Sequence, residues 1–175
     1  MKKDSILHLT LFLAIVAAIA GGALAFANQL TLPVIEENNL KAEKQTLLEM
    51  YPEASLDDFQ PVTDDGIMAD HPEIESIYKY GDSIVVFKCS VSGFDGGTVF
   101  VVAIDPVNNK IDNFKTISNG DTKGIGSKIT EPAFAESVIG KDADGQLDTI
   151  SGATITSTPV VEAIQMCAGL AGEID

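Results

Sequence analysis

Asp148-Thr149-Ile150-Ser151-Gly152-Ala153-Thr154-Ile155-Thr156-Ser157 is the stretch on which the reading of this chain turns. Small residues and hydroxyls crowd these positions, directly ahead of a well-signalled helix. Thr158 reads as its N-cap and Pro159 as its first helical residue; Val160, Val161, Ile164, Met166, Cys167 and Leu170 form its apolar face, and Gly172 ends it. A helix N-terminus exposes unpaired N–H groups and a partial positive charge, which suits a phosphate. Gly152 and Ala153 keep bulk out of a close approach. The hydroxyls of Thr149, Ser151, Thr154, Thr156 and Ser157 offer hydrogen bonds or a point of covalent attachment. From the residues alone, the pattern equally fits a Ser/Thr-rich loop that only caps a helix.

Working back toward the N-terminus, residues 146–150 read as a short strand, and a short helix starts near Thr130-Glu131-Pro132. Lys110 to Ile117 reads as a strand returning from a hairpin connection at Asp105-Pro106-Val107-Asn108-Asn109. Before it, the glycine turn Gly93-Phe94-Asp95-Gly96-Gly97 leads into Thr98 to Ile104, a continuous apolar strand. Val85, Phe87, Cys89 and Val91 alternate with Ile84, Val86, Lys88 and Ser90, a period of two. Cys89 lies on the apolar phase, as a small buried hydrophobe would. Residues 52–73, rich in Pro, Asp and Gly, read as surface connection. Residues 36–50 read as a helix with Leu40, Leu47 and Leu48 inward, stopped before Tyr51-Pro52.

From Ser5 to Ile35 there is no Lys, Asp or Glu, and the apolar centre, Ile6 to Ala27, is long enough to cross a hydrocarbon layer of about 30 Å as a helix. Ala23-Leu24-Ala25 and Ala25-Phe26-Ala27 also fit a signal-peptidase site, but a signal peptide's apolar region runs only about 7–15 residues, which favours an uncleaved anchor. Lys2 and Lys3 precede the span and Glu36 and Glu37 follow it, so the positive-inside rule puts the N-terminus in the cytoplasm and the rest of the chain outside the cell (inner) membrane. Ala14, Ala18 and Gly22 form one stripe of small residues, and Ala17, Gly21 and Ala25 a second, the kind of surface on which membrane helices meet.

Composition narrows the chemistry. The 175 residues carry a net charge of −15, with 11 lysines as the only fixed cations. That balance excludes nucleic acid and works against docking on anionic lipid. Cys89 and Cys167 stand without a CxxC partner, and two histidines, His8 and His71, are too few for a histidine-rich metal site or most Ser-His-Asp schemes. No metal site is expected. The pairs Asp57-Asp58 and Asp64-Asp65 fit no Ca²⁺ loop and read, like His71, as solvated surface. Any strong chemistry must therefore come from a bound cofactor. The expected class is α+β, a single transmembrane helix followed by a compact domain with a small antiparallel sheet and flanking helices.

Asp148-Thr149-Ile150-Ser151-Gly152-Ala153-Thr154 resembles the flavinylation motif D-x-x-(S/T)-G-A-(T/S) of the FMN-binding domain family. The resemblance implies FMN joined through its phosphate to the hydroxyl of Thr154, with Thr156 as the fallback acceptor. Asn119-Gly120-Asp121-Thr122-Lys123-Gly124-Ile125-Gly126-Ser127-Lys128-Ile129 resembles the family's H-x-E-T-P-G-L-G-x-K-I segment, which lies against the flavin ring. Here Asp121 replaces Glu, Lys123 replaces Pro and Ile125 stands for Leu, while Thr122, Gly124 and Gly126 are kept. Lys128 offers its charge either to the FMN phosphate or to solvent. Gly93-Phe94-Asp95-Gly96-Gly97-Thr98 resembles the family's G-(Y/F)-x-G turn. The implied binding set is Asp121, Thr122, Gly124, Ile125, Gly126, Lys128, Asp148, Ser151, Gly152, Ala153, Thr154 and Thr156. The implied organisation is an anchor at 1–30, a leading helix and connection at 31–73, and an FMN-binding domain at 74–175.

Within that family, the single anchor, the compact size and Leu47 to Ala54 (LLEMYPEA) resemble the G subunit of ion-translocating Rnf complexes. This implies an electron relay between cofactors of other membrane subunits, in a complex passing electrons between ferredoxin and NAD⁺ and moving Na⁺ or H⁺. It also implies maturation by a flavin transferase that takes FMN from FAD with Mg²⁺. The homologous C subunit of the Na⁺-translocating NADH:quinone reductase, or a free-standing surface flavoprotein, is the nearest alternative. A membrane-anchored interaction module without catalysis is the alternative of another class. Whether Cys89 and Cys167 pair is open at this point.

Overall fold

Val99 to Ile104 is apolar at every position because the strand it belongs to is covered on both sides. The structure, a computed structural model, describes residues 3–174 and divides after Ala42 into two compact units. Helix α1 (Lys3–Met50) supplies all the described residues of the first unit. From Leu7 to Lys41 every side chain is exposed, apolar ones such as Leu11, Phe12, Ile15 and Ile19 included. A helix of this length and composition can cross a membrane. Pro33 lies inside it, and two residues earlier the Thr31 hydroxyl donates to the carbonyls of Ala27 and Asn28 at 3.1 and 3.2 Å.

The second unit is a five-stranded antiparallel meander, β1 (Phe59–Val62), β2 (Ile74–Tyr80), β3 (Ile84–Ser92), β4 (Gly97–Asp105) and β5 (Lys110–Asn119), in that spatial order. A short helix, α2 (Asp65–Asp70), capped by the Asp64 carboxylate, connects β1 to β2. After β5 come a 3₁₀ turn (Gly126–Thr130), helix α3 (Pro132–Val138) with Pro132 at its start, and helix α4 (Thr154–Ala171). One face of the sheet presents Val85, Phe87, Cys89, Phe100, Val102, Ile104 and Phe114 to α3 and α4. The opposite face presents Val86, Val101 and Ala103 to Leu47, Met50 and Phe59. Two covered faces explain why β4 reads as an unbroken apolar run rather than an alternation.

That second face holds a buried ion pair. Lys88 sits among apolar neighbours and donates to Glu43 at 3.0 Å and to the half-exposed Glu75 at 2.9 Å. The other oxygen of Glu43 accepts from Ser76 at 2.7 Å and Tyr78 at 2.5 Å. Burial and then the Glu43 carboxylate push the Tyr78 hydroxyl up to about 12. Burial works against the Lys88 charge, but its bonds to Glu75 and Glu43 outweigh that and raise its pKa.

The structure corrects four readings of the sequence. Leu40 and Leu48 are 46% and 37% exposed; the covered side of the last turns of α1 is Glu43, Thr46, Leu47 and Met50, so the inward stripe is partly polar. The connection at 52–73 contains β1 and α2, whose short lengths hide among its prolines and aspartates. Residues 146–150 make no strand. Finally, α4 begins at Thr154 with Ala153 as its cap, so Pro159 lies inside the helix. The Ala153 carbonyl accepts from the Thr156 and Ser157 N–H groups and nucleates the helix a full turn before Pro159.

Candidate functional site

The site is organised by one carboxylate. At the end of β5, the Asn119 side chain accepts the Asp121 N–H at 3.1 Å and donates to Thr98 at 2.8 Å, turning the chain off the sheet. Asp121 is thereby buried, and its Oδ1 accepts the N–H groups of Asp95 at 2.8 Å and Gly96 at 2.9 Å. Its Oδ2 accepts the Thr156 hydroxyl at 2.5 Å. One side chain thus ties the turn between β3 and β4, the loop after β5 and the first turn of α4. Gly126 has to be glycine for this: a Cβ there would overlap the Cβ of Asp121 and lie 2.8 Å from the Thr156 hydroxyl oxygen. Burial disfavours the Asp121 charge, yet the bonds from Thr156, Asp95, Gly96 and Phe94 outweigh it and hold the pKa below the usual carboxylate value.

A folded-state pKa that is depressed stabilises the ionised form, fully so above the ordinary carboxylate range near about pH 4. This contribution is lost as pH falls through the folded value. Asp121→Asn removes it and turns one acceptor into a donor facing Thr156, so the variant is expected to lose about 1–3 kcal/mol at neutral pH and to show a shallower acid limb. Urea titrations between pH 3 and 7 measure both.

The three segments enclose a cavity of about 330 Å³. Phe94 comes from the turn, Asp121, Thr122, Ile125 and Gly126 from the loop, and Gly152 to Thr156 from the start of α4. Gly152 carries a φ of +82°, which favours glycine and lets the chain swing from the loop into the helix. Phe94, Ile125 and Ile155 stand 70%, 52% and 61% exposed around the opening, an apolar rim on a strongly acidic protein.

The five hydroxyls of the decisive stretch separate cleanly. Thr156 is 2% exposed and bound to Asp121. Ser157 is fully buried, accepting the Ile150 N–H at 2.9 Å and donating to the Ala153 carbonyl at 3.0 Å. Thr149, Ser151 and Thr154 are exposed, and of these Thr154 lines the cavity. Asp148 and Lys128 face a neighbouring hollow of about 240 Å³ together with Thr149, and Asp148 pairs with Lys141 at 3.3 Å. Gly124 adopts a φ of +81° in the loop. Two residues of the cavity lie outside the sequence-derived set: Phe94, which the sequence places only in the turn, and Ile155, which follows Thr154. Their signal is an apolar side chain inside a glycine- and hydroxyl-rich segment.

The cavity fits FMN on its own chemistry. It combines an apolar rim, a helix N-terminus and an exposed hydroxyl placed between them. Residues 93–169 match the FMN-binding domain family model, and residues 1–50 match that of the RnfG N-terminal region. The chain is 29% identical over 164 residues, 86% of each chain, to the G subunit of an ion-translocating oxidoreductase complex from Methanosarcina acetivorans. It is 24% identical over 184 residues to the G subunit of the Na⁺-translocating ferredoxin:NAD⁺ oxidoreductase complex of Acetobacterium woodii, covering 92% of this chain and 89% of that one. The crystal structure of Shewanella oneidensis NqrC is similar with a TM-score of 0.47 and 23% identity, over 65% of each chain. The RnfG N-terminal region at its start, the FMN-binding domain behind it and the two G-subunit relatives together support an RnfG-type subunit.

Proposed function

We propose that the chain is the electron-carrying G subunit of a membrane-bound Rnf complex and holds FMN by a phosphoester to Thr154. The observation that carries this reading is the separation of the hydroxyls: Thr154 is the exposed one at the cavity, whereas Thr156 and Ser157 are buried and engaged. When bound, FMN supplies one- and two-electron redox chemistry. The protein's residues supply position. The N–H groups at the start of α4 and the small residues Ser151, Gly152 and Ala153 would receive the phosphate; Phe94, Ile125 and Ile155 would cover apolar parts of the group; Asp121 keeps the three walls in register. Thr122, Gly124 and Gly126 shape the loop beside it, and Lys128 and Asp148 lie in the adjoining hollow. A covalent link suits a carrier that cannot recover lost cofactor.

The coupled reaction is electron transfer between ferredoxin and NAD⁺ with movement of Na⁺ or H⁺, and the other membrane subunits of the complex are the partners. Lys2 and Lys3 ahead of the span and Glu36 and Glu37 behind it support a cytoplasmic N-terminus and an extracytoplasmic soluble unit. A flavin transferase working on that side would move FMN from FAD with Mg²⁺. Co-expression with such a transferase tests the reading: the denatured, gel-resolved chain is expected to fluoresce under ultraviolet light. A dark band from matured protein contradicts it.

A further inference from the structure

The chain has two cysteines, 78 residues apart in sequence, and the fold brings their sulfurs to 3.5 Å from each other. Cys89 lies on β3, the central strand of the meander; Cys167 lies on α4, on the face turned to the sheet. Both are fully buried. We propose that Cys89 and Cys167 form a disulfide in the mature protein, a covalent staple between the sheet and the helix whose first residue is Thr154. The proposal rests on the reading that the soluble unit is extracytoplasmic, the side on which disulfides form and persist.

Two sulfurs in contact need only a small side-chain movement to reach bonding distance, about 2.05 Å. The step balances with a partner disulfide as oxidant. The two thiols give up two electrons and two protons, the Sγ–Sγ bond forms, and the partner's S–S bond is reduced to two thiols. Timing follows from burial. Burial and then the neighbouring Cys89 push the Cys167 thiol well up, which suppresses the thiolate that exchange requires. The bond therefore forms while the chain is collapsing, and once formed it lies beyond the reach of reductants. A link across so long a loop narrows the unfolded ensemble more than a short one would.

The test uses the full chain isolated from membranes with its flavin in place. The sample is unfolded in N-ethylmaleimide without reductant and examined by peptide mass spectrometry. The expected result is no adduct on either cysteine and one species joining the peptides that contain Cys89 and Cys167. Reductant added to the native chain is expected to leave that species intact, and reductant added after unfolding to yield two adducts. Two adducts per chain without any reductant overturn the proposal. Protease treatment of intact cells then tells whether the soluble unit lay on the reducing side or the facing sulfurs simply stayed apart. In-gel flavin fluorescence reads covalent attachment of flavin to the chain separately, so the two readings fail by different signals.

Discussion

Thr154→Val is expected to reduce covalently bound flavin to background while leaving the fold intact. Valine matches threonine in shape but has no hydroxyl to esterify, and Thr154 is exposed at the first position of α4, so stability should stay within about 0.5 kcal/mol. Thr154→Ser keeps the hydroxyl and should retain the flavin. Thr156→Val is the informative contrast. It breaks the 2.5 Å bond to Asp121 and leaves that buried carboxylate one donor short, costing about 1–3 kcal/mol, yet the acceptor hydroxyl of Thr154 remains and attachment should persist. Absorbance at the flavin bands after denaturing gel filtration, together with a melting curve, separates the two outcomes.

Glu43→Ala is expected to produce the largest loss of stability among polar substitutions, about 3 kcal/mol. It strips the buried Lys88 of one of its two carboxylates and removes the acceptor for Ser76 and Tyr78 in the same step. Replacing both members of the pair, Glu43→Leu with Lys88→Met, should recover most of the loss, because a buried pair contributes little beyond what matched apolar side chains supply. Thermal unfolding followed by circular dichroism should show the single variant melting lower by about 10 °C. Equal losses in the single and double variants would mean that packing, not the unpaired charge, sets the cost.

The elements legible in the sequence were those whose local signals agree with their surroundings. The strand through Val85 to Val91, the Asp105–Asn109 hairpin connection, Pro132 at the start of α3 and the apolar span of α1 appear as read, although Val86 and Lys88 on the strand's other phase are buried as well. Two of the misreadings, the start of α4 and the inward stripe of α1, share a cause, a long-range partner that overrode a local signal. Thr158-Pro159 is a sound helix start in isolation, but Gly152 at a φ of +82° and the Asp121–Thr156 bond begin α4 at Thr154 instead. Lys88 fell on the polar phase of its strand, and nothing nearby in sequence announced that Glu43 of α1 would pair with it there. In the same way, the motifs around Asp121 and Thr154 marked the segments of the cavity, while the role of Asp121 as the tie between them depends on backbone N–H groups at Asp95 and Gly96 that carry no side-chain signature.

The proposed electron carrier depends on a bond between one hydroxyl and one phosphate. Lys141 is the last basic residue of the chain, so trypsin releases residues 142–175 as a single C-terminal peptide. After reduction, fragment-ion mass spectrometry of that peptide from matured protein should place the mass of one FMN, esterified with loss of water, on Thr154. An unmodified peptide, or the same mass on Thr149, Ser151 or Thr156, would contradict the account.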